Sequence, residues 1–474
     1  MRVNGKTPNQ VPRLAVALGD AGLVLAALYL AFLLRFGGEL PPANFAAFLG
    51  LAPWVAGGAA VVFAGLGLYD RRRDGFLSTL RTLSAGVVLI GLVTAAASFW
   101  FREPAFPRSI ILIGGAVQLV LLVGWHRLVW WLDGRLHGQR RLLVLGEAGE
   151  TASFMDKLLD LPGDPFCVAE VVRPEGAGRL AARLEGVDGL VVMPSVPPKA
   201  RRAAVTAALE KRRDVYLVPD SFEILLSSAR MSRIDDLPVL QLEGAGFSWF
   251  QLAAKRALDL VLALAGLVAG LPVLVGLAIL IPATSKGSPF YVQERVGQNG
   301  RVFRLYKLRT MVTGAEEGTG PVLAATDDAR ITPVGRWLRA TRLDELPQVF
   351  NVLKGEMSTV GPRPERPEFV ERFRAESPAY HYRHLVKPGL TGLAQVQGRY
   401  STSAEDKLRF DLYYIRNYSL LLDLQILLQT IPIVFTPAAA RGQSGVPEPN
   451  TGAFLTNCPA KYGQQQLLDK RGQG

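Results

Sequence analysis

Residues 253–290 read AAKRALDLVLALAGLVAGLPVLVGLAILIPATSKGSPF, and this stretch decides the fold because it is apolar enough to enter a bilayer. A run of about 20 apolar residues suffices to span a membrane. Lys255 and Arg256 precede the apolar run and Lys286 follows it, so cations flank both of its ends. Pro272 lies near its middle, where a proline removes a hydrogen-bond donor and bends or breaks a helix.

A helix that breaks at Pro272 and returns to the same membrane face accounts for the cations at both ends. We therefore predict a re-entrant membrane helix over about residues 254–283, with Lys255 and Arg256 as membrane-anchoring residues at its start. The alternative is a kinked transmembrane helix that tolerates its proline. That alternative would place residues 286–474 on the far side of the membrane.

Four further apolar stretches open the chain, and each is close to the length that crosses a bilayer. They cover residues 14–36, 45–68, 83–101 and 110–132. Together they predict a transmembrane four-helix bundle over residues 1–138, and an apolar content of 49% fits a membrane protein. Lysine and arginine collect before the first stretch, between the second and third, and after the fourth. This asymmetry predicts that both ends of the bundle are cytoplasmic.

Residues 139–245 change to the pattern of a soluble α/β domain. Four short apolar runs cover residues 142–145, 167–172, 190–193 and 215–218. Helix-like segments separate them, which predicts a small Rossmann-like sheet. The turn after the first run reads GEAGET and has Ala148 and Thr151 where a dinucleotide fingerprint needs glycines. We therefore expect a structural or regulatory domain, with nucleotide binding as the minor alternative.

Residues 341–364 read TRLDELPQVFNVLKGEMSTVGPRP and carry two adjacent candidate catalytic carboxylates, Asp344 and Glu345. Four apolar residues follow with helical spacing: Leu346, Val349, Phe350 and Leu353. This spacing predicts a helix with one buried face that begins at the carboxylates. A helix N-terminus favours anions, which suits an ionised nucleophile, a phosphate or a phosphate-bound metal ion. The plain alternative is that Thr341 and Asp344 form a capping box.

Basic residues surround this acidic pair. Upstream, residues 293–311 read QERVGQNGRVFRLYKLRTM, which predicts a strand after a glycine-rich turn, with Arg304, Lys307 and Arg309 projecting from it. Further cations follow at Arg336, Arg339, Arg342, Arg363, Arg366, Arg383 and Lys387. Arginine binds phosphate oxygens in pairs and lysine adds a point charge, so the set suits a diphosphate and a second phosphate. Anionic lipid headgroups are an alternative ligand for several of them.

Other ligand classes fit the chain less well. A net charge of +12 is compatible with nucleic acid, but no recognition-helix or base-stacking pattern accompanies the cations, so we expect no nucleic-acid partner. The two cysteines, Cys167 and Cys458, are too few for a cysteine-based zinc site. The four histidines lie near a hydrophobic segment or among basic residues, and we assign them no metal-binding role.

From about residue 250 to 437 the chain resembles the bacterial sugar transferase family, the monotopic phosphoglycosyl transferases that begin surface-polysaccharide synthesis. The matching pieces stand in one order: KRALD at 255–259, the proline-containing apolar helix, QERVGQNGRVFRLYKLRTM, LDELPQVFNVLKGEMSTVGPRP and KPGLTGLAQVQGR at 387–399. The four apolar stretches and the α/β domain ahead of them resemble the large, polyprenyl-phosphate hexose-1-phosphate transferase branch. One departure is Leu271 before Pro272, where some smaller relatives have Ser.

The resemblance implies a reaction and a location. A sugar 1-phosphate, expected to be a hexose 1-phosphate, would move from a UDP-sugar to undecaprenyl phosphate, giving undecaprenyl diphosphate sugar and UMP. This would be the first membrane step of exopolysaccharide, capsule or O-antigen synthesis. The protein would lie in the bacterial inner membrane, with a mainly helical catalytic domain over residues 250–437 on the cytoplasmic face.

The resemblance also implies roles for individual residues. Asp344 would be the nucleophile that forms a covalent intermediate, and Glu345 would assist as a base or as a group that orders the metal ion. Both carboxylates would hold Mg²⁺, with Mn²⁺ as an alternative. The residues that would bind substrate phosphates are Lys307, Arg309, Arg342 and Arg363.

Two other classes of protein are compatible with parts of the sequence. Membrane-anchored sugar-nucleotide epimerases and dehydratases need an intact glycine fingerprint and a Tyr-x-x-x-Lys pair, and no tyrosine here is followed four residues later by lysine. A non-catalytic assembly protein with an inactive transferase domain would use its basic residues only for lipids. The sequence leaves the sugar open and allows a homodimer through the middle domain. Residues 438–474, with their Gly, Pro, Gln and Asn, predict a disordered tail.

Overall fold

The structure is a computed structural model that describes residues 13–69, 76–101, 106–137, 140–159, 166–175, 180–227, 229–242, 248–315, 328–398 and 403–434. The chain forms two compact units that divide between Pro219 and Asp220, here called the N-terminal and C-terminal units. The predicted tail at 438–474 lies outside the described residues.

The N-terminal unit opens with four helices that are long and apolar enough to cross a membrane. They are α1 (Arg13–Arg35), α2 (Pro42–Gly65), α3 (Phe76–Trp100) and α4 (Arg108–His137). The first helix packs against α2 and α4, and α3 packs against the same two helices. The four apolar stretches of the sequence are therefore helices that pack on one another.

One carboxylate is buried among these helices. Asp20 of α1 is fully buried, and the Nε2 atom of His126 on α4 lies 3.1 Å from its Oδ1 atom. An ionisable residue inside a membrane helix usually faces such a polar partner on a neighbouring helix. The pair explains how an apolar helix accommodates an acidic side chain.

A four-stranded parallel sheet follows α4, with strand order β2-β1-β3-β4. Its strands are β1 (Arg140–Leu145), β2 (Phe166–Val172), β3 (Gly189–Val192) and β4 (Asp214–Leu217). The connecting helices are α5 (Ala148–Leu159), α6 (Leu180–Arg183) and α7 (Pro198–Glu210). Each apolar run found in the sequence is a strand to within two residues at either end, so the prediction of four strands is confirmed.

The turn after β1 is filled by the protein's own side chains. A Cβ atom on Gly146 would lie 2.5 Å from the Cγ atom of Met193. The Oγ atom of Ser195 accepts a hydrogen bond from the Glu147 amide (3.1 Å), and the Ser195 amide donates to Glu150 (3.2 Å). Because a dinucleotide would place its pyrophosphate at this turn, these contacts fit the expected structural or regulatory role.

The C-terminal unit begins before the residue at which the sequence suggested a boundary. It opens with α8 (Ser221–Leu226) and a hairpin of β5 (Arg230–Ile234) and β6 (Leu237–Gln241). Ile224 of α8 packs in one cluster with Val370 and Leu412, which come much later in the chain. The segment from residue 220 onward was assigned to the middle domain at 139–245, but the structure packs it with the C-terminal unit.

The dominant element of the C-terminal unit is α9 (Trp249–Thr284), a helix of 36 residues, or about 54 Å. Pro272 lies inside it, so the structure has one continuous helix where the sequence predicted a break. Apolar contacts lie on both sides of the proline, with Ala263 before it and Leu277 after it in two core clusters. This packing holds both halves of the helix and offsets the donor that the proline lacks.

The rest of the C-terminal unit is mainly helical, as predicted. Its strands are β7 (Phe290–Val296) and β8 (Val302–Leu308), which form an antiparallel hairpin, and β9 (Ser358–Val360) and β10 (Gly389–Thr391), which are parallel. Its helices are α10 (Pro333–Thr341), α11 (Val349–Lys354), α12 (Pro367–Glu376), α13 (Leu393–Gln397), α14 (Ala404–Arg416) and α15 (Leu420–Val434). Short 3₁₀ helices cover Gln298–Gly300, Leu343–Gln348 and Pro378–Leu385.

The two cations that were predicted to anchor α9 to the membrane instead bind protein groups. The Nζ atom of Lys255 donates to Asp423 (2.8 Å) and to the carbonyl of Val360 (3.0 Å). The guanidinium of Arg256 donates to two carbonyls near the end of α11, at 2.7 and 2.9 Å. Helix C-termini leave such carbonyls without partners, which gives Arg256 a structural role in attaching α9 to the C-terminal unit.

A buried carboxylate completes this attachment. Asp259 of α9 is 2% exposed, and its Oδ1 atom accepts hydrogen bonds from the Ser358 hydroxyl (3.0 Å), the Thr359 amide (2.9 Å) and the Thr359 hydroxyl (2.6 Å). One atom of the helix therefore satisfies three donors of β9. Lys255, Arg256 and Asp259 belong to the KRALD motif, which joins the helix to the C-terminal unit.

We expect Asp259→Ala to lower the free energy of unfolding by about 3 kcal/mol, because three buried donors would lose their acceptor. The measurement is the urea midpoint of the purified protein, followed by tryptophan fluorescence. Glu376→Ala is the matched control, since this exposed glutamate forms a surface ion pair with Arg372, and its loss should cost less than about 1 kcal/mol. Equal losses in the two variants would contradict the role given to Asp259.

Candidate active site

Three segments of the C-terminal unit bring the candidate residues together. Lys307 lies on β8, Asp344 and Glu345 lie in the first turn of the 3₁₀ helix Leu343–Gln348, and Arg363 follows β9. Side chains alternate along a strand, so Lys307 shares the inward face of β8 with Leu305, which is 2% exposed. The strand β8 packs directly against the 3₁₀ helix.

The helix that carries the carboxylates is tighter than predicted. Leu343–Gln348 is a 3₁₀ helix, and α-helical geometry begins only at Val349. Pro347 explains the difference, because its ring would clash with the carbonyl of Leu343 in an α-helix. The carboxylates still lie at the start of a continuous helical segment, as the sequence indicated.

The predicted buried face of this segment is confirmed. Its four members pack in two clusters with residues of α9, and they are Leu346, Val349, Phe350 and Leu353. The approach is close at Gly270 of α9, where an added Cβ atom would lie 2.9 Å from the side chain of Leu346. The position of the acidic pair is therefore coupled to α9 by apolar packing.

The capping-box alternative is wrong. The hydroxyl of Thr341 donates to the carbonyls of Trp337 (2.9 Å) and Leu338 (3.1 Å), so it belongs to the end of α10. The residue that precedes the 3₁₀ helix is Arg342, which makes no side-chain cap and has left-handed backbone geometry with a φ of 57°. This conformation is uncommon outside glycine and is often found at functional sites. It lets the chain turn sharply between α10 and the acidic pair.

Glu345 is the centre of the charge cluster. Its Oε1 atom lies 2.6 Å from the Nη2 atom of Arg363 and 3.7 Å from the Nζ atom of Lys307. Burial alone would raise the pKa of Glu345, but Arg363 and Lys307 outweigh it and hold this pKa well below the ordinary range. Arg342 contributes a smaller effect in the same direction. Glu345 is therefore ionised at neutral pH.

Asp344 has a different environment from its neighbour. The described residues form no hydrogen bond to its carboxylate, although Lys307 and Arg339 lie close enough to interact electrostatically. Burial raises the pKa of Asp344, and Lys307 offsets only part of that effect. The helix start was expected to favour the ionised form, whereas burial moves the pKa of Asp344 in the opposite direction. Two adjacent carboxylates whose pKa values move in opposite directions suit two chemical roles.

Lys307 is buried, which disfavours its charged form. Burial lowers its pKa, while the negative charges of Glu345 and Asp344 raise it. A lysine held this way could donate a hydrogen bond to an anionic oxygen of a bound phosphate.

The structure gives two arginines, Arg309 and Arg339, contacts that differ from those expected from the sequence. Arg309 was predicted to bind substrate, but its guanidinium donates to the carbonyls of Ser285 (2.5 Å) and Lys286 at the end of α9. The physical reason is the set of unpaired carbonyls at a helix C-terminus, which the sequence does not locate next to Arg309. Arg339 was only one cation among many, yet it interacts with Asp344 and donates to the Thr310 hydroxyl (2.9 Å). Its signal in the sequence is its place on the helix just before the acidic pair.

The donor set fits a magnesium ion that is shared with a phosphate. The two contacts of Glu345 are both made to Oε1, and the Asp344 carboxylate has no donor among the described residues. Within the part of the chain that the structure describes, no group of three or more His, Cys, Asp or Glu side chains could hold a metal ion. Mg²⁺ commonly binds through one or two carboxylates plus substrate phosphates and water. Asp344 and Glu345 could supply that share of the ligands.

A pair of carboxylates with opposite pKa shifts, flanked by lysine and arginine and packed on a membrane-length helix, defines a membrane-associated protein equipped for phosphate chemistry. A family model described as bacterial sugar transferase matches residues 250–437. The match includes α9, the β7–β8 hairpin and the complete charge cluster.

Individual relatives agree with the family model. The UDP-N-acetylgalactosamine-undecaprenyl-phosphate N-acetylgalactosaminephosphotransferase of Aeromonas hydrophila is 44% identical over 190 residues, which cover 40% of this chain and 45% of that relative. The UDP-glucose:undecaprenyl-phosphate glucose-1-phosphate transferase of Klebsiella pneumoniae is 38% identical over 222 residues, covering 46% and 48%. The protein of the same name from Escherichia coli (strain K12) is 32% identical over 390 residues, covering 73% and 84%.

The chain belongs to the bacterial sugar transferase family. It spans about half the length of the Aeromonas and Klebsiella relatives. The match to the Escherichia coli protein extends well beyond the family segment, as expected for the large branch of the family.

Proposed function

We propose that this protein transfers a sugar 1-phosphate from a UDP-sugar to undecaprenyl phosphate, giving undecaprenyl diphosphate sugar and UMP. The observation that carries the proposal is the contact of Arg363 and Lys307 with Glu345, beside a half-buried Asp344. The names of the Klebsiella and Aeromonas relatives contain both a UDP-sugar and undecaprenyl phosphate, which supports these two substrates. The protein would then catalyse the first membrane step of exopolysaccharide, capsule or O-antigen synthesis.

The reaction would proceed in two displacements at one phosphorus atom. An oxygen of ionised Asp344 attacks the phosphorus next to the sugar, the bond from that phosphorus to the bridging oxygen breaks, and UMP leaves with that oxygen. The chain then carries a sugar phosphate on Asp344. An oxygen of undecaprenyl phosphate attacks the same phosphorus, and the bond to Asp344 breaks and restores the carboxylate. Glu345 would stay ionised through both displacements, because its pKa is held well below the ordinary range, and would help to order the metal ion.

The neighbouring side chains would stabilise the charge that develops in each step. Phosphoryl transfer depends mainly on positioning and charge neutralisation. Lys307 and Arg363 already contact Glu345, so their N–H groups lie where the oxygens of a phosphate bound beside Asp344 would be. Mg²⁺, or Mn²⁺ as the alternative, would neutralise diphosphate oxygens when bound at the two carboxylates. Ionised Glu345 would keep both cations oriented.

The architecture that we propose around this site has three parts. Helices α1 to α4 form a transmembrane bundle, and the β2-β1-β3-β4 sheet is a Rossmann-like domain whose strand order matches the start of a doubly wound sheet. The helix α9 is re-entrant through a bend at Pro272 inside its continuous run of helical residues. Its support is that both ends of the helix bind the C-terminal unit, through Arg256 at one end and Arg309 at the other. A straight crossing of about 54 Å would put those ends on opposite sides of a bilayer.

This path places the catalytic unit at the membrane surface. The outward side of α9 carries exposed apolar side chains that would face lipid, among them Val261, Leu264, Val268 and Ile279. A soluble donor and a lipid acceptor could then meet at the interface. We place the unit on the cytoplasmic face of the bacterial inner membrane, where anionic lipids attract its basic surface.

The experiment that tests the function uses the full chain in nanodiscs with Mg²⁺ and one UDP-sugar at a time, without undecaprenyl phosphate. UDP-glucose, UDP-galactose and UDP-N-acetylgalactosamine are the first donors to try. We expect a stoichiometric burst of UMP and a sugar-phosphate adduct on the peptide that contains Asp344, both discharged when undecaprenyl phosphate is added. Turnover without an adduct would overturn the nucleophile, and silence with every sugar and acceptor would favour a non-catalytic lipid-binding domain.

The pH dependence of UMP release follows from the environment of Asp344. The carboxylate attacks only when ionised, so release should rise with pH as Asp344 loses its proton. Because burial raises its pKa, we expect the half-maximal rate at a pH above the ordinary aspartate value of about 3.9. The measurement is the single-turnover burst rate across the acidic pH range.

Glu345→Gln provides the internal comparison for this pH profile. The negative charge of Glu345 raises the pKa of Asp344, so its removal should shift the half-maximal rate to lower pH while it slows the reaction. A shift in the opposite direction would contradict the assignment of the titrating group to Asp344.

A further inference from the structure

The turn that presents Arg363, and the residue after it, accept hydrogen bonds at their carbonyl groups from cations that are at most 15% exposed. This turn, residues 360–363, leaves β9 and ends with the guanidinium that binds Glu345 at 2.6 Å. Its middle is fixed by backbone bonds to β10, from the Gly361 amide to Thr391 (2.9 Å) and from the Gly389 amide to Pro362 (2.9 Å). The carbonyls at its two ends accept bonds from side chains instead.

The first end is held by the membrane helix. The Val360 carbonyl accepts hydrogen bonds from Lys255 of α9 (3.0 Å) and from the Tyr414 hydroxyl (3.2 Å). Asp423, which is 1% exposed, binds the same lysine at 2.8 Å and the same tyrosine at 2.7 Å. Lys255, Tyr414, Asp423 and the Val360 carbonyl therefore form one closed hydrogen-bond network.

The second end is held by a separate ion pair. The carbonyl of Arg363 accepts a hydrogen bond from the Nη2 atom of Arg383 (2.9 Å). That nitrogen also lies 2.8 Å from Asp411 of α14, and both side chains are less than 8% exposed. The other terminal nitrogen of Arg383 donates to the Tyr380 hydroxyl. The next carbonyl along the chain, that of Pro364, accepts from Arg295 of β7 (2.9 Å).

The turn has no room to shift toward β10. A Cβ atom on Gly361 would lie 2.4 Å from the carbonyl oxygen of Lys387, and one on Gly389 would lie 2.1 Å from the Gly361 amide nitrogen. The backbones of the turn and of the segment around β10 are in direct contact. A movement of either end of the turn would therefore also move Arg363.

Buried ion pairs are a costly way to stabilise a fold. Desolvation of both charges cancels much of their attraction, and replacing both partners with apolar side chains is often neutral or stabilising. Two such pairs on either side of one catalytic turn therefore need an explanation other than stability. The feature they share is a hydrogen bond to a carbonyl of the segment that presents Arg363.

We propose that the Lys255–Asp423 and Arg383–Asp411 pairs are positioning residues that fix Arg363 against Glu345, so that the membrane helix itself helps to assemble the active site. This inference rests on the proposed function, because Arg363 matters only if the charge cluster is catalytic. Neither pair touches substrate in this proposal, and both act through the backbone of the turn.

The test replaces each pair as a whole, so that no buried charge is left alone. The two variants are Arg383→Met with Asp411→Leu, and Lys255→Met with Asp423→Leu. We expect each to keep a urea midpoint close to that of the unmodified protein, yet to lower the single-turnover UMP burst rate about 10- to 100-fold, the loss typical of a small misplacement of a catalytic group. A structural role alone predicts a normal burst rate in any variant that remains folded.

A mutant cycle shows whether the effect passes through Arg363. In an Arg363→Gln background, positioning residues have nothing left to position, so each replacement should lower the burst rate by less than about 3-fold. Losses that multiply in full in this background would overturn the proposal. The matched control is Arg409→Met with Asp406→Leu, a pair joined at 2.9 Å within α14 next to its N-cap Ser403. Its burst rate should change by less than about 3-fold.

Hydrogen exchange separates this inference from the proposed function. Peptides covering residues 360–363 should exchange faster in both pair variants than in the unmodified protein and the control. Hydrogen exchange needs no substrate, so it tests whether the two ion pairs hold the turn even if no UDP-sugar reacts. Unchanged exchange in these peptides would overturn the positioning role whatever the activity of the protein.

Discussion

Asp344→Asn is expected to abolish the UMP burst, with a loss of at least about 10⁴-fold in single-turnover rate. An amide of the same shape cannot attack phosphorus, so no sugar-phosphate adduct should form on the peptide that contains residue 344. The fold should survive, because the described residues form no hydrogen bond to the Asp344 carboxylate and burial already disfavours its charge. The urea midpoint should remain the same or rise.

The measurement combines quenched-flow UMP release with intact and peptide mass. Asp406→Asn is the control, since it makes the same chemical change at a carboxylate on α14 that pairs with Arg409. It should retain the burst and the adduct. A burst of unchanged size in Asp344→Asn would show that another group is the nucleophile, and Glu345 would then be the next candidate because it lies in the same turn.

Arg363→Gln is expected to have the second largest effect, a loss of about 10²- to 10³-fold in burst rate, comparable to the removal of one preorganised donor to a developing charge. Glu345 would lose its 2.6 Å partner, while Lys307 would remain at 3.7 Å. Burial would then act on Glu345 with less opposition, so its pKa would rise. The variant would therefore lose the positive charge of Arg363 and also the contact that orients Glu345.

Two further variants sharpen this prediction. Arg363→Lys keeps the charge but not the planar pair of donors, so an intermediate rate is expected if the guanidinium binds two phosphate oxygens. Arg372→Gln is the control, because Arg372 is 69% exposed on α12 and pairs only with Glu376 among the ion pairs of the described residues. A normal burst in Arg363→Gln would remove Arg363 from the catalytic machinery and with it the reason for the two buried pairs around its turn.

Some features of the fold depend on neighbouring residues, and others depend on contacts between distant segments of the chain. The four strands of the sheet and the buried face of the segment after Asp344 were found from the sequence, because periodicity and apolar runs are properties of neighbouring residues. Pro347 also acts locally, because its ring favours a 3₁₀ helix over an α-helix at the start of this segment. The boundary of the C-terminal unit was missed because α8 packs on helices almost 200 residues later.

The amino-acid sequence by itself determined which helices are long and apolar enough to cross a membrane, which strands form, and that Asp344 and Glu345 start a helical segment. Tertiary structure alone decided which of those cations serve the carboxylates. Lys307 and Arg363 reach Glu345, whereas Arg309 caps α9 and Lys255 and Arg256 fasten α9 to its own unit. The physical reason is that a basic side chain donates to whichever oxygen without a partner lies within reach. Packing between segments distant in the sequence determines whether that oxygen belongs to a carboxylate or to a backbone carbonyl.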